Sequence, residues 1–420
     1  MKTIQFMFLL LIFPTYLMAQ EAVSLEQCQA WARENHPVLK QSDLYQQILN
    51  LKNENNATSL LPQLTLNGQA TYQSDVTKIG ISIPNMNIQT ADKDQYKFYL
   101  DLKQTIWDGG LNKARELINE TENAGNQQQV KVELYQLKEK VNQFYFTSFL
   151  IQENLNILEK KNGTLTERRK MMESAVKNGM MLSSELDQLL ADMVKTDQMV
   201  LELESNREAV LSGLAILTGK AVDHLQNMEL TTEPKGMDNE LKRPEIDLFA
   251  RQTDLLNVQS EILKKQRNPK LFGFGQAGYG KPGLNMLNNE FDTYYLVGLG
   301  FNWNVLDWKN TSRQRQVLKL QQEIVQTKQE SFVRNIDLAS DQQNKQIDQL
   351  SRLLKTDSEL IQIRERITKA SASKLENGAI NTADYIQDLN AEITARLTLE
   401  THKIQLKEAQ IKLENIRGIQ

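Results

Sequence analysis

The sequence is poor in cysteine, proline, histidine and net charge. One cysteine, Cys28, stands among 420 residues, so an internal disulfide is excluded and we predict a buried small side chain there. Eight prolines, against abundant Gln, Asn, Glu, Lys and Leu, favour long helices over a loop-rich sandwich. A formal net charge of −4 provides no basic field, so we predict no nucleic-acid partner.

Signatures of catalysis and of metal binding are missing from the sequence. The histidines, His36, His224 and His402, are scattered and have no metal-ligand spacing, so we predict no metal site. The sequence contains no nucleophile elbow, no phosphate loop and no paired catalytic carboxylates. We therefore predict a protein that is not an enzyme, with no catalytic residues and no cofactor.

Long apolar runs are confined to the first twenty residues. Lys2, the apolar run after it and the small residue Ala19 predict a secretory signal peptide over residues 1–19. A membrane-spanning helix is the alternative, but the run is short and ends at a cleavage site. No later stretch approaches the roughly 20 apolar residues that a helix needs to span a bilayer. We therefore predict an exported chain in which only strands could cross a membrane.

The mature chain contains a tandem repeat. LTLNGQATY (64–72) returns as LFGFGQAGY (271–279), 207 residues later, and Asn178-Gly179 returns as Asn377-Gly378, 199 residues later. The difference of eight residues lies in the loop that follows the first strand of each copy. The matches are collinear, and they predict a first repeat over 20–220, a linker over 221–242 and a second repeat over 243–420.

Two periodicities alternate within each repeat. Apolar and polar residues alternate strictly in three segments, which predicts strands with one apolar and one polar face, and the repeat predicts a fourth, glycine-rich strand. The predicted strands are 62–74, 95–107, 269–280 and 293–306. Heptads predict antiparallel coiled coils, and the predicted helices are 24–58, 110–177, 182–218, 244–266, 308–376 and 381–417. At 1.5 Å per residue, the helix over 110–177 would be about 100 Å long.

Four strands of this length are too few to close a barrel. Since lipid does not tolerate an open sheet edge, several chains must each contribute four strands, and three chains would give twelve. Aromatic residues near the strand ends fit interfacial girdles, although ordinary strand aromatics are the alternative. These residues are Tyr72, Tyr96, Trp107, Tyr279, Tyr295 and Trp308.

The order, spacing and duplication of these segments resemble the TolC-type outer-membrane efflux proteins (outer membrane factors). The resemblance covers the mature chain and implies a mixed α and β membrane protein. Each protomer would supply four transmembrane β-strands and a long antiparallel α-helical coiled-coil barrel, closed as a 12-stranded barrel and 12-helix tunnel only in a homotrimer. The segments that carry the resemblance are HPVLK (36–40), LLPQLTL (60–66), IWDGGLNKARE (106–116), NGMMLSSELDQL (178–189) and NGAINTADYIQDL (377–389).

The resemblance also implies a function and a location. It implies a passive exit duct for tripartite efflux or type I secretion, set in the lipid of the cell outer membrane, with its helical tunnel in the periplasm. The implied partners are a periplasmic adaptor (membrane fusion protein) and an inner-membrane RND or ABC transporter. A periplasmic coiled-coil adaptor or scaffold is the alternative, which accounts for the heptads but leaves the four amphipathic strands unexplained.

The turns between the paired helices are the implied adaptor-docking tips. Gly179 and Gly378 suit the C-terminal end of the first helix in each pair. Ser183 or Ser184 suits the N-cap of the second helix in the first pair, and Thr382 suits that in the second pair. The alternative to a docking tip is a plain hairpin turn. Exposed Met180, Met181, Leu182 and Ile380 favour docking. The predicted tip residues are Gly179, Met180, Met181, Leu182, Ser183, Ser184, Gly378, Ala379, Ile380, Asn381 and Thr382.

Acids just after the tips are the implied gate of the periplasmic entrance. Glu185 and Asp384 occupy equivalent positions, and Gln387 stands where the family has a second aspartate, with Asp388 beside it. The alternative is that these acids only favour the helix dipole. At the strand-to-helix change, we predict that Asp108 and its equivalent Asp307 cap the following helices.

Overall fold

The structure is a computed structural model that describes residues 23–77, 92–221, 241–286 and 288–419. The predicted signal peptide, nearly all of the predicted linker and most of the loop after the first strand lie outside these residues. The chain forms two compact units, each with segments from both predicted repeats. The helical unit comprises residues within 1–39, 133–243 and 335–420, and the sheet unit comprises 40–132 and 244–334. The division of the sequence into repeats stays a prediction.

Seven helices and four strands are found in the described residues, and most lie within two residues of the predicted bounds. Helices α3 and α6 both have 67 residues, and α4 and α7 both have 36, as a duplication would give. The helices are α1 Leu25–Asn35, α2 Leu39–Thr58, α3 Leu111–Lys177, α4 Ser183–Thr218, α5 Pro244–Lys265, α6 Asn310–Glu376 and α7 Thr382–Arg417. The strands are β1 Gln63–Tyr72, β2 Asp94–Trp107, β3 Lys270–Lys281 and β4 Asp292–Asn302.

The prediction of one continuous helix over 24–58 is wrong. Helix α1 ends at Asn35 and α2 begins at Leu39. Between them His36 is extended, with φ −71° and ψ 128°, and Pro37 follows it. Proline has no N–H to donate and pushes the preceding residue out of the helical region. The break is therefore encoded locally, by the His-Pro pair.

The fourth strand ends earlier than predicted, at Asn302 rather than at residue 306. Asn302 pairs with Lys270, the first residue of β3. Pro269, just before Lys270, has no N–H with which to continue the ladder. The apolar and polar alternation continues beyond Asn302, but the neighbouring strand no longer offers a partner.

The helical unit has a core in which α1 packs against α3, α4 and α7. Cys28 is fully buried there, together with Val141, Tyr145 and Leu214. The Tyr145 hydroxyl donates to the Val23 carbonyl at 3.0 Å, so this large polar side chain is satisfied inside the core. Burial raises the pKa of the Cys28 thiol to about 12, which keeps it neutral and unreactive. The prediction of a buried small side chain at Cys28 is confirmed.

Candidate functional site

The four strands form one antiparallel sheet in the order β1-β2-β3-β4. Directly opposed residues of antiparallel strands share a face, so the register collects the apolar residues on one side, which we call the apolar face. Leu66 opposes Leu100, and Phe98 opposes Tyr279. The apolar side chains of this face include Leu64, Leu66, Ala70, Tyr72, Tyr96, Phe98, Leu100, Leu102, Leu271, Ala277, Tyr279, Tyr295, Val297, Leu299 and Phe301.

The other side of the sheet, which we call the polar face, carries most of the hydrogen-bonding and charged side chains. Gln276 donates through Nε2 to Oδ1 of Asp101 at 2.8 Å, across β2 and β3. The residues that give this face its character on β1 and β2 are Thr65, Asn67, Gln69, Thr71, Gln95, Lys97, Asp101 and Lys103.

The burial of the two faces is the reverse of that in a water-soluble sheet. Leu64 is 64% exposed, Val297 77% and Tyr295 79%, all on the apolar face. On the polar face, Lys97 and Asp101 are half-buried. An antiparallel sheet in water covers its apolar face and exposes its polar one. The sequence predicted both faces, and the structure adds that the apolar one is exposed in the single chain.

The sheet has two open edges. In the part of the chain that the structure describes, β1 pairs only with β2, and β4 only with β3. The outer sides of β1 and β4 therefore present rows of backbone N–H and C=O groups to which another strand can bond.

Each half of the sheet leads into a long helix through an aspartate-capped turn. Asp108 accepts from the backbone N–H of Gly110 at 2.8 Å and from that of Asn112 at 2.5 Å. Asp307 accepts from the backbone N–H of Thr311 at 3.0 Å. The Thr311 hydroxyl and N–H lower the pKa of Asp307, because both stabilise the carboxylate. The prediction that both aspartates cap the following helices is confirmed.

The two helical tips end their first helices in the same way. Gly179 and Gly378 are left-handed, with φ 65° and 69°. The N–H of Met180 donates to the Ala175 carbonyl at 2.8 Å, and the N–H of Ala379 donates to the Lys374 carbonyl at the same distance. This is the Schellman arrangement, in which glycine takes the left-handed position without steric cost. The prediction that the two glycines end the helices is confirmed.

The predicted N-caps are wrong. The N-cap of α4 is Leu182, whose side chain makes no capping bond, so neither Ser183 nor Ser184 is the N-cap residue. The N-cap of α7 is Asn381, whose side chain accepts from the backbone N–H of Asp384 at 2.8 Å. Thr382 is instead the first helical residue. Capping requires extended backbone at the capping residue, and in both turns that conformation falls before the predicted residue.

The exposure predicted for the tips is right for Met180 and Leu182, which are 75% and 71% exposed. It is wrong for Met181 and Ile380, which are half-buried against a cluster that includes Leu189. Thr382 is fully buried. The left-handed glycines turn the chain back over the helix ends, so alternate tip residues point into the packing. The exposed tip residues are Gly179, Met180, Leu182, Ser183, Ser184, Gly378, Ala379 and Asn381.

The structure separates the predicted gate residues into two pairs. Glu185 accepts through Oε2 from the backbone N–H of Thr382 at 2.6 Å, so an acid of α4 caps the start of α7. The Ser371 hydroxyl donates to Oδ2 of Asp388 at 2.5 Å. Asp384 and Gln387 are exposed. Two of the four side chains are thus held by contacts inside the chain.

The fold is similar to that of known solved structures, although the sequence alone matches no protein-family profile and no curated protein. Among solved structures, the Campylobacter jejuni CmeC outer membrane channel matches with a TM-score of 0.65, at 16% identity over 94% of this chain and 85% of that one. The outer membrane protein VceC of Vibrio cholerae matches with a TM-score of 0.67, at 13% identity over 94% of this chain and 96% of that one.

The open state of the Neisseria gonorrhoeae MtrE outer membrane channel matches with a TM-score of 0.65, at 15% identity over 94% of this chain and 88% of that one. The chain has the fold of the TolC-type outer-membrane channels. Since each alignment covers 94% of this chain and at least 85% of the other, the likeness is that of the complete fold rather than of one helical hairpin. The predicted resemblance and fold class are confirmed.

Within this channel fold, one tip residue was missed by the sequence analysis. Arg168 Nη1 lies 2.9 Å from Glu376 Oε1, and its guanidinium carbon lies 5.1 Å from the centre of the Tyr385 ring. The three residues come from α3, α6 and α7, so the contact joins both helical hairpins. No local pattern could have revealed it, because the partners are about 200 residues apart.

None of the helices in the residue ranges that the structure describes has an apolar stretch of the length and hydropathy needed to cross a membrane. No group of three or more His, Cys, Asp or Glu residues in the same ranges is arranged to hold a metal ion.

Proposed function

We propose that this protein is a passive exit duct that works as a homotrimer in the cell outer membrane. One observation carries the proposal: the sheet is inverted, with an exposed apolar face, and has two open edges. An exposed apolar face of this size suits lipid, and the polar face suits a water-filled lumen. Open edges are not tolerated in lipid, so β4 of one chain pairs with β1 of the next. Three copies close a barrel of twelve strands, an even number within the usual range.

The helical unit supplies the wall of a periplasmic tunnel in this proposal. Its long paired helices carry exposed apolar residues, such as Val194, Leu201 and Leu360, which a neighbouring protomer would cover. The names of CmeC and MtrE as outer membrane channels support a conducting role for the fold.

The tips are proposed to dock on a periplasmic adaptor that links the duct to an inner-membrane RND or ABC transporter, for efflux or type I secretion. Met180 and Leu182 support this role, because solvated hairpin turns rarely expose two large apolar side chains together. Since the duct is passive, selection of the cargo would rest mainly with the transporter.

The trimer and the channel are tested together on detergent-solubilised protein. Native mass spectrometry is expected to give three chains per particle, and the same particles are expected to conduct ions in planar bilayers. Fractionation is expected to place the protein in the outer membrane. A stable monomer that still forms pores would contradict the proposal, and recovery in the soluble fraction would favour the periplasmic scaffold.

Docking is tested with the variants Leu182→Asp and Met180→Asp. Adaptor contact is measured by crosslinking, and export is measured in cells that carry adaptor and pump. Both variants are expected to lose adaptor contact and export while trimer mass and channel formation stay unchanged. Ser184→Asp is the matched control, because it adds the same charge at an exposed tip position without removing apolar surface. Survival of both functions in the two apolar variants would place docking elsewhere.

A further inference from the structure

The polar face of the sheet is not uniform, because aromatic residues face glycines between β3 and β4. In the register of these strands, Phe272 opposes Gly300, Phe274 opposes Gly298, and Tyr294 opposes Gly278. The corresponding positions between β1 and β2 hold polar pairs such as Gln69 with Lys97. Of the four aromatic residues that the strands place on this face, three lie on β3 and β4, and the fourth, Tyr99, lies on β2 opposite Asn67 and Gly278.

The rings occupy the space that a side chain on the opposed residue would need. A Cβ at Gly298 would lie 2.5 Å from Cζ of Phe274, and a Cβ at Gly300 would lie 2.5 Å from Cζ of Phe272. A Cβ at Gly278 would lie 2.8 Å from Cζ of Tyr294, although the Tyr99 Cβ, on the strand at its other side, would be nearer still at 2.6 Å. Side chains in a sheet ordinarily stand roughly perpendicular to it. Here the missing Cβ atoms let the rings lie across the neighbouring strand, nearly flush with the wall.

Glycines of the apolar face have no ring this close: even at Gly68, which opposes Phe98, a Cβ would lie 3.6 Å from Cδ2 of that ring, an ordinary contact. A Cβ at Gly275, on β3, would have Leu296 O as its nearest neighbour at 4.0 Å, and a Cβ at Gly273 would meet only ordinary contacts. The close approach is therefore a property of the polar face and not of glycine-rich strands in general.

The ring surface also attracts a cation. Lys103 Nζ lies 4.7 Å from the centre of the Phe272 ring, within the range of a cation–π contact. The Phe272 and Phe274 rings are 6.3 Å apart at 45°, so the two surfaces are adjacent. Both residues are only half-buried, so part of each ring remains accessible to a passing solute.

We propose that these aromatic–glycine pairs, here called the flush aromatic strip, favour the passage of one class of solute among those that the transporter delivers. Rings that lie flat keep the lumen wide enough for bulky solutes, and their faces give amphipathic solutes with aromatic or cationic groups a surface on which to stack. The inference rests on the proposed function, since the polar face must line the lumen. Phe272, Phe274, Gly298 and Gly300 are the specificity-determining residues.

The bore is tested by single-channel conductance of Gly298→Ala in planar bilayers. The added Cβ displaces the Phe274 ring from the wall into the lumen, so conductance is expected to fall. Gly275→Ala is the matched control, because it adds the same methyl group to the apolar face where space is available. The double variant Phe274→Ala with Gly298→Ala removes the displaced ring and is expected to restore wild-type conductance.

The solute contact is tested in the same bilayers with benzyltrimethylammonium and, as its control, tetramethylammonium. An aromatic contact changes a binding constant by roughly two- to tenfold. Replacing Phe272 and Phe274 by Ala is expected to shorten the dwell time of the benzyl cation by that factor and to leave the smaller cation unaffected. These Ala variants need no extra space, so this test holds even where Gly298→Ala fails to assemble.

The outcomes separate the inference from the function on which it rests. A wild-type protein that forms no channel would defeat the proposed function. A conducting wild type, with Gly298→Ala indistinguishable from Gly275→Ala, would overturn the bore-setting role of the strip alone. Equal dwell times of the benzyl cation with and without the two phenylalanines would overturn its contact with aromatic solutes.

Discussion

The two strand-to-helix turns of the sheet unit have the same backbone but different residues. The first contains Gly109 and Gly110, with φ 75° and 85°, and the second contains Trp308 and Lys309, with φ 52° and 61°. Both turns are capped by an aspartate. Left-handed backbone costs a residue with a Cβ about 1–2 kcal/mol, yet the second turn adopts it twice. The conformation is therefore compatible with large residues, and glycine must be required in the first turn for another reason.

The reason is the approach of a neighbouring segment to Gly109. A Cβ there would lie 2.5 Å from the Asn268 Cβ and 3.2 Å from the Pro269 carbonyl oxygen. Asn268 also donates through Nδ2 to the Gly109 carbonyl at 2.7 Å. At Gly110 the nearest atom would be the Lys265 Cδ, at 3.8 Å. Only one of the two glycines is thus required by packing.

The largest effect is expected from Gly109→Ala. The left-handed conformation and the clash with Asn268 together would destabilise the protein by roughly 2–5 kcal/mol. Gly110→Ala is the matched control, which keeps the conformational cost of about 1–2 kcal/mol but has space for the methyl group. The measurement is the midpoint of urea unfolding in detergent, followed by circular dichroism. Equal shifts for the two variants would show that the approach of Asn268 has no energetic consequence.

The next effect concerns the two tips, where equivalent acids have different partners. Glu185 caps the start of α7, whereas Asp384 is exposed. Glu185→Ala leaves the Thr382 N–H without its acceptor and is expected to destabilise the protein by about 1–2 kcal/mol. Asp384→Ala is the comparison, expected to shift the unfolding free energy by less than about 0.5 kcal/mol. Similar shifts for both variants would contradict the asymmetry.

The sequence predicted most elements because their signals are local. Alternation with period two located β1 and β2 within two residues, and heptads located α3, α4 and α7. The repeat located β3 and α6 equally closely. The end of β4 was missed because it is determined by Pro269, on the neighbouring strand. The split between α1 and α2 has a local signal too, the His36-Pro37 pair, which a prediction of one continuous helix over 24–58 disregards.

The candidate site was less predictable, since its details depend on contacts between distant segments. The tip turns and their glycines follow from local sequence. The capping bond from Glu185 to α7 does not, because it joins residues 197 positions apart. The burial of Met181 and Ile380 depends on packing around Tyr385, which no single segment reveals. Positions that the predicted repeat makes equivalent thus have the same backbone conformation, but their side chains have different partners.

A smaller effect of opposite sign is expected from Lys309→Gly in the second turn. Glycine relieves the left-handed strain of about 1–2 kcal/mol, while its greater freedom in the unfolded chain cancels about 0.4–1 kcal/mol. The net expectation is a gain of between about 0 and 1.6 kcal/mol in the urea unfolding measurement. Lys309→Ala keeps the Cβ and is expected to give no gain. A loss of stability on Lys309→Gly would show that the lysine side chain has a stabilising contact.

The smallest effect on stability, and a specific effect on conduction, is expected from Asp384→Ala. In the proposed trimer, three copies of this exposed carboxylate would face the axis near the periplasmic entrance, where mutual repulsion favours a bound cation. Divalent cations are therefore expected to block the wild-type channel, and the variant is expected to be blocked less strongly in single-channel recordings. Asp388→Ala is the control, because that carboxylate is already held by the Ser371 hydroxyl inside the chain. If the wild type shows no divalent block, or the Asp384 variant is blocked as strongly, Asp384 is only a helix-start acid and the entrance is closed by other residues.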